Sequence, residues 1–236
     1  MDDKKYIILF GFGSFGRQLY KNLVEAGHDI RVVDEIEENI EFALQSKIKI
    51  TKIDIKRDDD IKSLEIDQNK HIIYCAMTKT ANNVFLVLSL RALFPKAKII
   101  SISNSFENTR KLKYVGVDNV IDLYETTARR IANTRTKPAV TRALDEIIYH
   151  QNDLKMAEIK LSDESFVNGK KISAVPFGKY GIILVAIIDK ELGNELIFTD
   201  NRIDHKLDAG DILVIVGKTN DIKNFQEILQ AADLLI

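Results

Sequence analysis

The sequence predicts an α/β fold: a parallel sheet with helices on both faces, then a helix–turn–helix crossover, then a small α+β C-terminal domain. Three observations carry this. Short unbroken apolar runs, the first being Tyr6-Ile7-Ile8-Leu9-Phe10, alternate with helical periodicity through the first half. A strand apolar at every position is buried on both faces, and repeated strand–helix units of this size build parallel sheets. From about Asp153 the pattern switches to period-two alternation, as in Met156 to Leu161, which marks a half-buried strand and a second domain.

The elements follow in order. After the first strand, Leu19 pairs with Leu23 and Tyr20 with Val24 at i,i+4 spacing, and Gly27 is a C-cap candidate. Further strands are expected at Ile30 to Asp34, Ile48 to Ile53, His71 to Ala76, Lys98 to Ser103 and Asn119 to Leu123. Helices are expected at Glu37 to Gln45, Asp58 to Leu64, Asn82 to Phe94 and Glu107 to Val115. Pro138 suits the first turn of a helix and breaks an interior, so 124–150 divides into Tyr124 to Asn133 and Pro138 to Tyr149, with Thr134 to Lys137 as the turn. The last part holds strands at Ile182 to Ile188, Glu195 to Thr199 and Ile212 to Val216, and a closing helix at Asp221 to Leu235. The expected domains are therefore 1–123, a crossover at 124–150, and 151–236.

Composition narrows the class. The 236 residues are 45% hydrophobic and 29% charged, which is ordinary globular usage for one or two domains. Lys and Arg total 34 against 35 Asp and Glu, without the basic excess of a dedicated nucleic-acid binder. The single cysteine, Cys75, forms no intrachain disulfide and fits a reducing compartment. The most apolar run, Val84 to Phe94, is interrupted by Ser89 and Arg91 and is about half the ~20 residues a spanning helix needs. The start, Met1-Asp2-Asp3-Lys4-Lys5, lacks a signal-peptide layout, so a soluble cytoplasmic chain is expected. The Val84 to Phe94 helix is apolar almost all round. Such a helix is covered on two sides. The sheet covers one, and a neighbouring subunit is expected on the other.

The chemistry concentrates in Gly11-x-Gly13-x-x-Gly16, directly after the first strand and directly before a helix, with Asp34 at the end of the second strand. This is the layout of a Rossmann-like dinucleotide site. Gly11 allows the tight turn, Gly13 lets phosphate approach the backbone, and Gly16 permits close helix–strand packing. The helix N-terminus offers free N–H groups and partial positive charge. The Asp34 carboxylate accepts from ribose hydroxyls, and Asp34 with Glu35 repels a 2′-phosphate. NAD(H) or a plain adenine nucleotide (AMP, ADP or ATP) is favoured over NADP(H). The competing reading is an NAD-dependent oxidoreductase, which needs an acid or base near the nicotinamide. His28, His71, His150 and His205 lie at element ends or in loops, outside any catalytic motif, and Cys75 reads as a small buried hydrophobe. Asp58-Asp59-Asp60 reads as an acidic helix start. Arg129, Arg130, Arg135, Lys137 and Arg142 around the crossover admit a DNA-binding reading or a solvated helix face.

The chain resembles the regulator of potassium conductance (RCK) domain family of potassium channels and Trk- and Ktr-type uptake systems. The resemblance rests on Gly11 to Gly16, Asp34, Asp54, Asn104 to Asn108 and Lys111 to Ile121 in the first part. In the second part it rests on Val167-Asn168-Gly169-Lys170 and Leu207-Asp208-Ala209-Gly210-Asp211-Ile212-Leu213. It implies a nucleotide-binding first domain, pairing into dimers and octameric rings, and a membrane pore or transporter partner at the inner face of the membrane. Carried over, Gly11, Gly13, Ser14, Phe15 and Gly16 form the phosphate loop; Asp34 and Glu35 hold ribose; Asp54 and Ile55 sit by adenine; Ala76, Met77 and Thr78 border the pocket. Many uptake regulators carry Arg at the positions of Ser14 and near Ile102, a role Arg17 takes over only in part. Calcium-gated members carry carboxylates where Cys75, Ile102 and Asn104 stand, so no metal is expected. Tyr124-Glu125-x-x-Ala128-Arg129-Arg130-Ile131-Ala132-Asn133 looks like channel-attached members, with a Trk/Ktr-type regulatory subunit as the alternative.

Overall fold

The computed structural model describes residues 6–148, 153–193, 195–199 and 204–230. The chain divides into two compact units, Met1–Ala132 and Asn133–Ile236.

The first unit alternates strand and helix: β1 (Tyr6–Phe10), α1 (Ser14–Glu25), β2 (Ile30–Asp34), α2 (Glu37–Gln45), β3 (Ile50–Lys52), α3 (Asp58–Lys62), β4 (His71–Cys75), α4 (Thr80–Leu93), β5 (Lys98–Ser103), α5 (Phe106–Tyr114) and β6 (Asn119–Asp122). All pairings are parallel, in the order β3-β2-β1-β4-β5-β6. The order reverses between β1 and β4, which leaves a crevice at the carboxyl ends of the strands, where such sheets take ligands. One face buries Ile8, Phe10, Ile73 and Ile99 against Leu86, Val87 and Leu90 of α4 and Leu112 of α5. The other buries Val32 with Phe12 and Ala43, flanked by Tyr20. Helices therefore cover both faces, and the apolar strands predicted from sequence lie between them.

Two boundaries differ from expectation for local reasons. The third strand starts two residues late because Ile48 N–H still closes α2 on the Ala43 carbonyl (2.8 Å), after Lys47 turns the chain with φ +58°. The crossover has no four-residue turn. α6 (Leu123–Thr136) runs to one linking residue, Lys137, before α7 (Pro138–Ile148). Proline at the first helical position lacks only an N–H that has no intrahelical partner there, so one residue suffices to reset the helix.

The α4 helix buries Leu86, Val87 and Leu90, while Phe85 and Leu88 are 41% and 55% exposed. Its outer face thus carries apolar side chains that no other described residue covers fully.

Asp122 starts α6. Its Oδ1 accepts from the N–H groups of Tyr124 (3.1 Å) and Glu125 (2.9 Å), and its Oδ2 from Thr109 Oγ1 (2.9 Å). The Glu125 N–H first, with Thr109 and Tyr124, holds its pKa below the ordinary 3.8. A depressed folded-state value means the stabilisation is present above 3.8 and is lost as pH falls through the lower value. Asp122→Ala should therefore cost about 1 kcal/mol at neutral pH, as loss of a cap does, and progressively less as the parent carboxylate protonates below pH ~3.8. Chemical denaturation of both proteins across that range checks it.

The second unit holds α7, then β7 (Leu154–Lys160), two short 3-10 turns (Ile172–Ala174 and Phe177–Tyr180), β8 (Ile182–Ile188), β9 (Leu196–Phe198), β10 (Ile212–Lys218) and α8 (Thr219–Gln230). The sheet is antiparallel, in the order β7-β10-β8-β9. Ile159, Ile187, Leu213 and Ile215 bury against Ile222, Phe225 and Leu229 of α8. Gly169 N–H donates to Leu207 O (2.7 Å) and Leu207 N–H to Lys170 O (2.8 Å), so the two segments that carry the C-terminal resemblance lie side by side. The expected end of the closing helix, and Tyr149 and His150, lie outside the described residues.

Candidate functional site

The three glycines are there because the backbone is crowded. Gly11 turns the chain off β1 with φ +99°, and a Cβ there would stand 2.5 Å from the Ala76 carbonyl oxygen. A Cβ on Gly13 would meet Thr78 Oγ1 at 2.8 Å, and one on Gly16 would meet the Gly11 carbonyl oxygen at 2.0 Å. Gly16 thus lets α1 seat directly on the loop. Gly13 is the N-cap of α1, with no side-chain cap and no acid in the first turn. The positive end of a three-turn helix is left for an anion.

Behind the loop, Asp34 is 2% exposed and fully engaged. Its Oδ2 accepts from Phe12 N–H (2.5 Å) and Asn39 Nδ2 (2.9 Å), and its Oδ1 from Ile36 N–H (2.8 Å). Arg17 holds the next peptide: Nε donates to Phe12 O (3.0 Å), Nη2 donates to Asn39 Oδ1 (3.1 Å), and the guanidinium lies 3.6 Å from the centre of the Phe42 ring. Both backbone polar groups of Phe12 are therefore held. Asp34 thus holds the phosphate loop from behind, and Arg17 braces the same loop.

Two hollows flank the loop at the carboxyl edge of the sheet. The larger, about 700 Å³, is lined by Glu35, Lys52, Ile53, Asp54, Lys56, Asp60, Lys79 and Asn82. The smaller, about 310 Å³, is lined by Ser14, Phe15, Ala76, Met77 and Thr78, and by Thr80, Ile102, Ser103, Asn104, Leu123 and Tyr124. The predicted residues sort accordingly. Glu35 and Asp54 fall in the larger, Ser14, Phe15 and Ala76 to Thr78 in the smaller, and Gly11, Gly13 and Gly16 form the loop between. Ile55 is 2% exposed within the main core and lines neither hollow, because its side chain points to the sheet and not to the crevice.

The walls are pinned by side chains that the motif does not include. Asn83 is fully buried: its Oδ1 accepts from Met77 N–H (2.9 Å) and its Nδ2 donates to Met77 O (3.0 Å), which fixes the strand-end peptide. Thr80 Oγ1 donates to Asn104 Oδ1 (2.8 Å). Asn82 Nδ2 donates to Glu35 Oε1 (2.8 Å) across the larger hollow. Asn104 directly follows the fifth strand, and Thr80, Asn82 and Asn83 open the helix after the fourth. That position, and not any motif, is the signal that marks them.

The larger hollow balances Glu35, Asp54 and Asp60 against Lys52, Lys56 and Lys79, with Lys52 also paired to Glu37. Cys75 is buried and its thiol is pushed far up by desolvation, so it is no nucleophile. Among the described residues no histidine lines either hollow: His71 accepts at Nδ1 from Asp67 N–H (2.9 Å) at the opposite end of β4, and His205 lies in the second unit. Among the described residues there is no cluster of His, Cys, Asp or Glu able to hold a metal, and no helix is long and apolar enough to cross a membrane.

Comparison with known proteins fits this geometry. The TrkA-N domain model matches residues 7–123, and the TrkA-C domain model matches 156–230. A probable potassium channel protein 2 of Methanocaldococcus jannaschii is 23% identical over 96% of this chain and 67% of its own length. The Ktr system potassium uptake protein C of Bacillus subtilis is 23% identical over 95% of this chain and 97% of its own. The GsuK channel bound to NAD shares the fold, with a TM-score of 0.51 at 18% identity, over 96% of this chain. The chain spans only 39% of the GsuK chain's length. With both domain models matched in order over most of its length, the chain belongs to the TrkA-N/TrkA-C family.

Proposed function

We propose that this chain is a ligand-sensing subunit or domain that controls potassium flux, and that its first unit binds NAD(H) or an adenine nucleotide as the signal. One observation carries the reading: the uncapped N-terminus of α1, at the Gly11–Gly16 loop, lies between two hollows at the switch point of the sheet. A phosphate or pyrophosphate at the loop places adenosine in the larger hollow, by Glu35 and Asp54. Whatever continues beyond the phosphates lies in the smaller one, by Phe15 and Ala76 to Thr78. The proposal gives nucleotide binding to 1–123, subunit pairing to 124–150 and regulation to 151–236.

Occupancy acts as a signal and not as a step in turnover. A nucleotide biases an assembly only through different affinities for its two shapes. The NAD-dependent oxidoreductase reading lacks a histidine or reactive thiol at either hollow.

The apolar outer face of α4 supports a homo-oligomer, a dimer that extends to an octameric ring. Light scattering on the full chain should give a mass above one subunit. Leu88→Glu, at a position already 55% exposed, should reduce that mass while leaving the circular dichroism spectrum of a folded chain. A monomeric parent protein refutes the pairing.

The membrane partner we favour is a potassium channel pore at the inner face of the membrane. A Trk- or Ktr-type transporter is the second reading, favoured by the equal identity to the Bacillus uptake protein. Rubidium flux through each partner type, reconstituted with this chain, should change on adding NADH or ADP for one of them. Flux through both that ignores chain and nucleotide contradicts the proposal.

A further inference from the structure

We propose that Asn82 sets the affinity of the larger hollow by competing with ribose hydroxyls for Glu35; this rests on the nucleotide-binding reading above. Of the two adjacent carboxylates at the end of β2, Asp34 is buried and spent on Phe12, Ile36 and Asn39. Glu35 is the one that lines the hollow. A ribose cis-diol donates two hydrogen bonds, which a carboxylate receives best with one on each oxygen. Here Oε1 already accepts from Asn82 Nδ2 at 2.8 Å, a bond between residues 47 apart in sequence. It joins the end of β2 to the first turn of α4, across the opening that a ribose has to enter. Both partners are half-buried and line the same hollow, so a ligand can reach the bond and replace the amide donor with a hydroxyl. The first turn of α4 does not depend on Asn82. Asn83 holds Met77 and Thr80 holds Asn104, so removing the Asn82 amide leaves the turn anchored. In the free protein Asn82 therefore occupies a ligand position, and binding releases it from Glu35 and α4 from β2.

The test is a calorimetric titration of the full chain, its Asn82→Ala variant and its Asn82→Gln variant with AMP and with 2′,3′-dideoxy-AMP. Losing one competing hydrogen bond should tighten AMP by roughly three- to tenfold in Asn82→Ala. Asn82→Gln, which keeps the amide donor, should stay near the parent. The dideoxy ligand cannot replace Asn82 on Glu35, so its affinity should not change. AMP affinity in Asn82→Ala that is equal to or weaker than the parent's overturns the proposal, as does equal tightening of both ligands, which would mean only that the hollow had opened. If neither the parent nor Asn82→Ala takes up AMP or NADH, the nucleotide reading itself has failed and the proposal falls with it.

Discussion

Gly16→Ala should destabilise the first unit by about 3 kcal/mol, the upper end of the cost of overpacking, and lower its melting temperature by about 10 °C. The added Cβ would stand 2.0 Å from the Gly11 carbonyl oxygen, a backbone atom on a loop that cannot retreat. Gly11 is itself held against Ala76, its own N–H donates to Val33 O (2.8 Å), and Ala76 N–H donates to Phe10 O (2.7 Å). Relief requires α1 to lift off β1, which also displaces the N-terminus that faces the phosphate. Nucleotide affinity should fall along with stability. Gly178→Ala is the control: a Cβ there meets nothing within 4 Å, and its melting temperature should match the parent's. Thermal unfolding of the three proteins reads both outcomes.

Asp34→Asn should cost about 3 kcal/mol, because one carboxylate oxygen becomes an NH₂ that faces donors. Phe12 N–H and Asn39 Nδ2 meet on Oδ2 while Ile36 N–H meets Oδ1, so no orientation of the amide satisfies all three. The loss reaches Phe12, whose buried ring packs edge-on to Tyr20 at 5.6 Å between centroids, and through Phe12 the whole phosphate loop. Glu35→Gln should behave differently. It lines the hollow and fixes no loop, so it should weaken adenine nucleotides by about tenfold while leaving the melting temperature in place. Paired denaturation and titration of the two variants separate a loop-fixing carboxylate from a ligand-facing one.

That separation marks how far the sequence reaches. The Gly11–Gly16 spacing and the acid at the end of the second strand announce the loop and the crevice, because both follow from backbone crowding at a βα turn. The same spacing suggests Asp34 as a direct ribose contact. What the spacing does not show is that Asn39 and Ile36, five and two residues further on, also donate to that carboxylate. Arg17 escapes a sequence reading for the same reason: its partners, Phe12 O, Asn39 and Phe42, meet only after α1 and α2 pack side by side. Ile55, which the resemblance sets by adenine, lies at 2% exposure in the main core just beyond β3, a burial that the resemblance does not reveal. The central strand is plainest in the sequence, since burial on both faces leaves Ile7 to Phe10 of β1 without a polar residue. The crossover is plain except at its turn, where Pro138 announces a break but not its length.

Calorimetric titration of the full chain with NADH, ADP and AMP tests the central claim most directly. Saturable heat is expected from at least one of them, at one site per chain, with about tenfold weaker affinity in Glu35→Gln under conditions where that variant is folded. Flat titrations with all three, from a folded parent chain, contradict it.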